Sequence, residues 1–328
     1  MKAFVIEQAG TPDALKLRDI APVQPSSDEV RIRVRALGLN RAETYLRAGK
    51  MGPITAPRVP GIEAVGEVIH DPSGTFRTGQ RVATAMGGMQ FARHGSYAEE
   101  VTVLRSNVIS LDGSTLSWEE LAALPEAYLT VWGALDKSLA IQPGQTLLVR
   151  GATSSVGMAA LTYAKARGLK VIATTRSADK VQRLREMGAD HVLIDNGSIA
   201  EQVRQLIAQG VDAVLEVVGA ATVRDSLKAV RPFGAVSVIG LLGGAPVLEQ
   251  LNLMQDLPAA VKLNFFGSGL LGTQDMPLKD SPLLWIAKEI EAGRMPSIRT
   301  KTFDFEQIPD AHRLIESNGA LGKLVVKL

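Results

Sequence analysis

The chain has 328 residues, 46% of them hydrophobic and 21% charged, with 36 Lys and Arg against 34 Asp and Glu and no cysteine. That length suggests two domains, each able to bury a core, and the composition is globular rather than disordered or repetitive. The missing cysteines exclude a disulfide scaffold, a thiol nucleophile, iron–sulfur ligation and cysteine-bound zinc, and a net charge of +2 gives no reason to expect nucleic acid or an anionic membrane as partner.

The apolar start meets Glu7 too soon for a signal-peptide core, and residues 235–248, the longest uncharged apolar stretch, are broken by Gly240, Gly243, Gly244 and Pro246. A cytoplasmic chain without membrane contact is expected. Residues 30–36 alternate apolar and charged side chains, the pattern of a strand with one wet face, and 65–69 and 81–84 read as further short strands. From about Trp118 the rhythm changes. Strands at 146–149, 171–174, 191–194, 211–218 and 235–239 alternate with helices near 155–167, 178–187, 199–209 and 223–230. That alternation predicts a parallel sheet covered on both faces, with Gly168, Gly188 and Gly210 as helix stops. A helix follows at 283–291 and a strand at 323–328, too short to stand alone and so expected to pair back onto the N-terminal sheet. The order is a β-rich domain, an inserted dinucleotide-type domain, and a return to the first.

Residues 149–157 follow a strand and open a helix. Read against G-x-G-x-x-G, the three positions hold Ala152, Ser154 and Gly157. Small side chains let the backbone approach a pyrophosphate and the helix N–H groups favour its charge, so Ala152, Thr153, Ser154, Ser155, Val156 and Gly157 are candidate cofactor ligands. The alternative is a tight turn with no nucleotide. NAD-binding chains usually carry an acid at the end of the next strand to accept from the ribose. Here that segment reads Thr174-Thr175-Arg176-Ser177, with no acid before Asp179. Thr175, Arg176 and Lys180 suit a 2′-phosphate instead, so NADPH is expected over NADH unless the two cations are only solvated charges.

Residues 37–45 (LGLNRAETY), 59–68 (VPGIEAVGEV), 79–82 (GQRV), 95–99 (GSYAE), 124–132 (LPEAYLTVW), 188–190 (GAD) and 322–325 (GKLV), with the glycine turn, span nearly the whole chain. Together they give a chain that resembles the medium-chain dehydrogenase/reductase superfamily, in its zinc-independent, ζ-crystallin-like quinone oxidoreductase branch. The resemblance implies an α/β architecture in which a GroES-like β-rich catalytic domain (1–122, completed by 268–328) is interrupted by a Rossmann NADPH-binding domain (123–267) with a doubly wound parallel sheet. Zinc-dependent relatives carry G-H-E-x-x-G. This chain has Ile62 in place of the histidine, and its four histidines (His70, His94, His191 and His312) show no ligand spacing, so no metal site is expected.

The implied activity is hydride transfer from NADPH to a quinone or an α,β-unsaturated carbonyl, in a homodimer. Asn40 and Tyr45 match family positions beside the nicotinamide and substrate: Asn40 to orient a carbonyl or the ribose, Tyr45 to donate to an oxygen gaining charge or to serve as a wall. Thr130 matches a position near the nicotinamide, and Gly240, Leu241, Phe266 and Gly267 positions along the cofactor. Asp195 stands near where some relatives place an aromatic residue beside the adenosine phosphate, and an acid there counts against a 2′-phosphate. Met86, Met89 and Phe91 could line an apolar mouth, and segments 235–248 and 261–267 suit a buried sheet edge. The alternatives are a non-catalytic NADPH-binding protein with a structural, sensor or RNA-binding role, and an enoyl-thioester reductase.

Overall fold

Alternating apolar residues around Ile32 and Val34 build a ten-residue strand, with Val30, Ile32 and Val34 buried and Arg33 exposed. In the computed structural model, which describes all 328 residues, this strand is central to the first of two compact units. The first unit comprises Met1–Leu129, Ser268–Gly293 and Ser297–Leu328; the second comprises Thr130–Gly267 and Arg294–Pro296. The break therefore falls later than between 122 and 123.

In chain order, the first unit opens with an antiparallel hairpin of β1 (Lys2–Ile6) and β2 (Leu15–Asp19). Then come β3 (Glu29–Gly38), α1 (Arg41–Arg47), β4 (Glu63–His70), β5 (Arg81–Ala85), β6 (Glu100–Leu104), β7 (Val108–Ser110), α2 (Trp118–Ala122) and α3 (Pro125–Trp132), whose last residues enter the second unit. That unit alternates β8 (Thr146–Arg150), α4 (Ser155–Ala166), β9 (Lys170–Thr175), α5 (Val181–Glu186), β10 (His191–Ile194), α6 (Ala200–Leu206), β11 (Val211–Glu216), α7 (Ala220–Lys228) and β12 (Val230–Val238), then adds α8 (Leu253–Asp256) and β13 (Lys262–Phe265). The return to the first unit supplies α9 (Leu283–Glu291), β14 (Arg299–Asp304), α10 (Ile308–Glu316) and β15 (Lys323–Lys327).

The first unit's main sheet runs β14-β15-β3-β4-β5-β7, with β6 on β3. The terminal strand does pair back: Val325 of β15 lies opposite Gly38 of β3, antiparallel. The core beneath gathers Ile6, Ile32, Leu37, Val103, Ile308 and Val326. Met89 is part of that core and fully buried, so it lines no mouth.

The second unit's sheet is wholly parallel, in the order β10-β9-β8-β11-β12-β13. Counted from β8, that is the 3-2-1-4-5-6 order of a Rossmann sheet, with its switch point between β8 and β11. The strand expected at 235–239 begins earlier, because Val230 pairs with Val211 before an irregularity and regular pairing resumes at Ala235 with Ala213. It lies between β11 and β13, so of the two segments expected at a sheet edge only 261–267 contributes one.

Candidate active site

The glycine turn works through size. Gly151 has φ +85°, and a Cβ on Gly157 would stand 2.6 Å from the Gly151 carbonyl oxygen and 2.7 Å from Ala152 Cα. Only glycine lets α4 begin this close to the end of β8, over a small, fully buried Ala152. Ser154 caps the helix, its Oγ accepting from Gly157 N–H at 3.1 Å. The Ser155 and Val156 N–H groups, in the first turn, have no acceptor within the helix. With half-buried Thr153 and Ser155 beside them, they form a donor cradle at a positive helix end. That fits a pyrophosphate.

At the end of β9 the two threonine hydroxyls are both engaged. Thr174 Oγ1 accepts from Gly151 N–H at 3.2 Å and donates to Asp195 at 3.4 Å. Thr175 Oγ1 donates to the Ser177 carbonyl and accepts from its N–H, both at 3.2 Å. Thr175 therefore holds the turn rather than offering a free hydroxyl. Arg176 is exposed and Lys180 partly so, and neither side chain has an ion pair or hydrogen bond within the protein. These cations are what the rim presents to an anion.

Asp195 is no free acid. Arg150, buried at the end of β8, grips both its oxygens, Nε to Oδ2 at 2.8 Å and Nη2 to Oδ1 at 2.9 Å. Burial would raise the Asp195 pKa, but the Arg150 bonds, the Gly197 N–H and the guanidinium charge together hold it below the usual carboxylate range. Opposite Arg150, Glu216 at the end of β11 is pushed up by burial, which its bonds from Ser226 and from the Gly219 and Val218 N–H groups and the Arg150 charge only partly offset. Gly240 and Leu241 follow β12, and Phe266 and Gly267 follow β13. The Phe266 N–H bonds Val238 O at 2.9 Å, which brings both segments to the carboxyl rim of the sheet. A Cβ on Gly240 would collide with the Val217 backbone. Thr130 is buried in α3.

In the first unit, Asn40 caps α1 and turns inward. Its Oδ1 accepts from Lys323 Nζ at 2.6 Å, and its Nδ2 donates to Glu63 Oε1 at 2.7 Å and Glu43 Oε1 at 3.2 Å. A lysine can only donate, which fixes the amide's orientation. Asn40 is 7% exposed, and its amide is fully used by the protein. Lys323 also bonds Glu63 Oε1 at 2.5 Å, while Glu63 Oε2 accepts from Glu126 N–H at 2.8 Å. Glu43 reaches back to the Asn40 N–H at 2.8 Å; burial, with the Glu63 charge adding to it, pushes its carboxyl up to about 8 despite a bond from its own N–H, nearby Lys323 and the Asn40 amide. Ile62, next to Glu63, is buried and apolar. Tyr45, two residues after Glu43, is half-buried, and its hydroxyl has no protein partner; Lys50 Nζ lies 5.5 Å from its ring. Glu43, Glu63, Lys323 and Arg150 were not singled out as site residues from sequence, although all four stand inside the quoted segments.

Comparison with known proteins accords with both units. Residues 26–128 match the alcohol dehydrogenase GroES-like domain and 155–279 the zinc-binding dehydrogenase domain. Quinone oxidoreductase of Homo sapiens is 27% identical over 337 residues, covering 100% of this chain and 98% of the human one. Quinone oxidoreductase of Pseudomonas aeruginosa is 32% identical over 250 residues, 75% of each chain. Among solved structures, an NAD-dependent alcohol dehydrogenase superposes with a TM-score of 0.86 at 27% identity over 100% of both chains. Escherichia coli quinone oxidoreductase, solved with NADPH, gives the same TM-score at 24% identity, again over 100% of both chains. The chain belongs to the medium-chain dehydrogenase/reductase superfamily, in its quinone oxidoreductase branch, and is an oxidoreductase of that class.

Proposed function

We propose that the protein reduces quinones or α,β-unsaturated carbonyls with NADPH and without a catalytic metal. The observation that carries this reading is the chemistry of residues 61–66. Buried Ile62 stands where a ligand histidine would, and the carboxylate of Glu63 is wholly engaged by Lys323, Asn40 and the Glu126 N–H. No cysteine exists to complete a zinc site. A bound NADPH supplies the hydride. This chain's residues hold its pyrophosphate on the first turn of α4 and its 2′-phosphate with Arg176 and Lys180. The free Tyr45 hydroxyl donates to the acceptor's carbonyl oxygen as that oxygen gains negative charge. A quinone or enone spreads that charge over a conjugated system, so hydrogen-bond donors suffice where a simple carbonyl would call for a Lewis acid. Asn40 acts here as a positioning residue, setting the start of α1 and hence the place of Tyr45.

The test is NADPH oxidation, followed by absorbance, with 1,4-benzoquinone, 9,10-phenanthrenequinone and a 2-alkenal, before and after metal chelation. Turnover that survives chelation is expected. Tight NADPH binding with no turnover on any acceptor would indicate a non-catalytic nucleotide-binding protein, and loss of turnover on chelation would overturn the metal-free reading. We also propose a homodimer through the β13 edge. Phe265 on that strand is 63% exposed, and Phe233, whose N–H bonds Ala260 O before it, is 79% exposed.

A further inference from the structure

Arg150 stands one residue before the glycine turn, at the switch point of the second sheet, with its guanidinium fully buried. Its fork holds both oxygens of Asp195, and its Nη1 holds Asp225 Oδ2 at 2.8 Å. Asp195 lies at the same rim as the candidate phosphate site: its N–H bonds the carbonyl of Thr175, the residue before Arg176, at 2.8 Å. The remaining acceptor positions of its carboxylate are also taken. The Gly197 N–H reaches Oδ1 at 2.8 Å and the Thr174 hydroxyl reaches Oδ2 at 3.4 Å. Each oxygen therefore has two protein donors, its full capacity in the plane.

The usual ribose acceptor is an acid at the end of the second strand, where this chain has Arg176; Asp195, at the end of the third, comes beside that position through its N–H bond to the Thr175 carbonyl. A free carboxylate there also repels a 2′-phosphate. We propose that Arg150 is a specificity-determining residue for the adenosine half of the cofactor. By gripping Asp195 on both oxygens it removes a competing acceptor and the repulsion of a free carboxylate beside Arg176, leaving Arg176 and Lys180 to receive the phosphate. The inference rests on the NADPH reading above. The neighbouring acids do not share this role. Asp225 accepts from the Ile199 N–H at the start of α6, at 2.8 Å, and Glu216 is turned onto Ser226 and the Val218 and Gly219 N–H groups.

The test is calorimetric binding of 2′,5′-ADP and of 5′-AMP to the full chain and to Arg150→Met, Asp195→Asn and the double variant. Wild type prefers 2′,5′-ADP. In Arg150→Met the preference falls by about tenfold, chiefly through weaker 2′,5′-ADP binding. Asp195→Asn retains the preference, and the double variant regains it, because an amide neither repels the phosphate nor needs neutralising. If Arg150→Met weakens both ligands equally and the double variant brings no recovery, Arg150 merely holds the fold and the proposal is overturned. A fall in Asp195→Asn overturns it as well. Should Arg150→Met fail to fold, Arg150→Lys decides. Lysine keeps the charge but cannot hold both oxygens in a fork, so the preference must still fall severalfold, and an unmoved preference sinks the idea. A wild type that does not distinguish the two probes defeats the NADPH reading itself, whereas a wild-type preference that no variant moves defeats only the role of Arg150.

Discussion

Tyr45 and Asn40 sit on one short helix and differ in what their polar atoms do. The phenol is free, while the amide is bound on every side by Lys323, Glu63 and Glu43. Tyr45→Phe is therefore expected to lower kcat by about ten- to a hundredfold with KM little changed, since the donor acts on charge that develops late. Steady-state kinetics with a quinone checks this, and an unchanged kcat would make Tyr45 a wall. Arg176→Ala should shrink the ratio of KM values for NADH and NADPH by about ten- to a hundredfold, the range of one or two charge-assisted bonds. A preference unchanged in that variant would mean the exposed cation is only solvated. The cation pair was legible as residues, because a missing acid and two positive charges can be read from order alone. The inward networks were not. Lys323 meets Glu63 across 260 positions, and nothing in spacing says that a buried lysine will stand there. Asp195 misled for the same reason, since its partner Arg150 is reached only when β8, β9 and β10 lie side by side.

The elements that were readable are those whose periodicity serves a two-sided sheet. Apart from the start of β12, each strand and helix from β8 to β12 was anticipated within a few residues, because fully buried strands and one-sided helices leave different apolar rhythms. Those missed have local reasons. β14 reads RTKTFD and buries only Phe303, so no alternation marks it. The helix α10 begins Ile308-Pro309, with the proline in the first turn, where its missing N–H costs nothing, and it offers no long apolar run to mark it. In α1, Glu43 and Arg47 are buried polar residues, which hides its inner face from any hydrophobic pattern. The turn before α4 is the element with the least room. Gly157→Ala must push a methyl into the Gly151 carbonyl, and a loss of about 1–3 kcal/mol in stability is expected, of the size seen when a packed site is overfilled. Denaturant unfolding measures it, and NADPH affinity should fall with it as the cradle distorts.

For the molecule as a whole, two buried groups shape the response to pH. Glu43 is pushed up from 4.5 to about 8 by burial, so the folded chain keeps a proton that the unfolded chain releases, and stability declines as pH rises through that window. His312 is pulled down from 6.5 to about 3, by burial first and then by Arg47, so stability is lost as pH falls through that lower window. Where the windows overlap the two slopes oppose each other, giving a plateau with a loss on either side. Thermal midpoints at about pH 6 and about pH 8.5 should differ in the wild type, and Glu43→Gln should flatten the alkaline side; an identical decline in the variant would assign it elsewhere. The assembly is tested by mass in solution: Phe265→Lys should convert a dimer to monomers, and a wild type that is already monomeric removes the edge-pairing reading. The placement of β15 has a further consequence, for synthesis. Val325–Lys327 pair with Ala36–Gly38, so β3 lacks this neighbour until the whole stretch between them has been made, whereas the second unit is nearly continuous from Thr130 to Gly267. Lys323 arrives with the same strand. Until then Asn40 and Glu63 have no cation between them, so the ribosome delivers the nucleotide-type unit whole before it delivers the residue that locks the other.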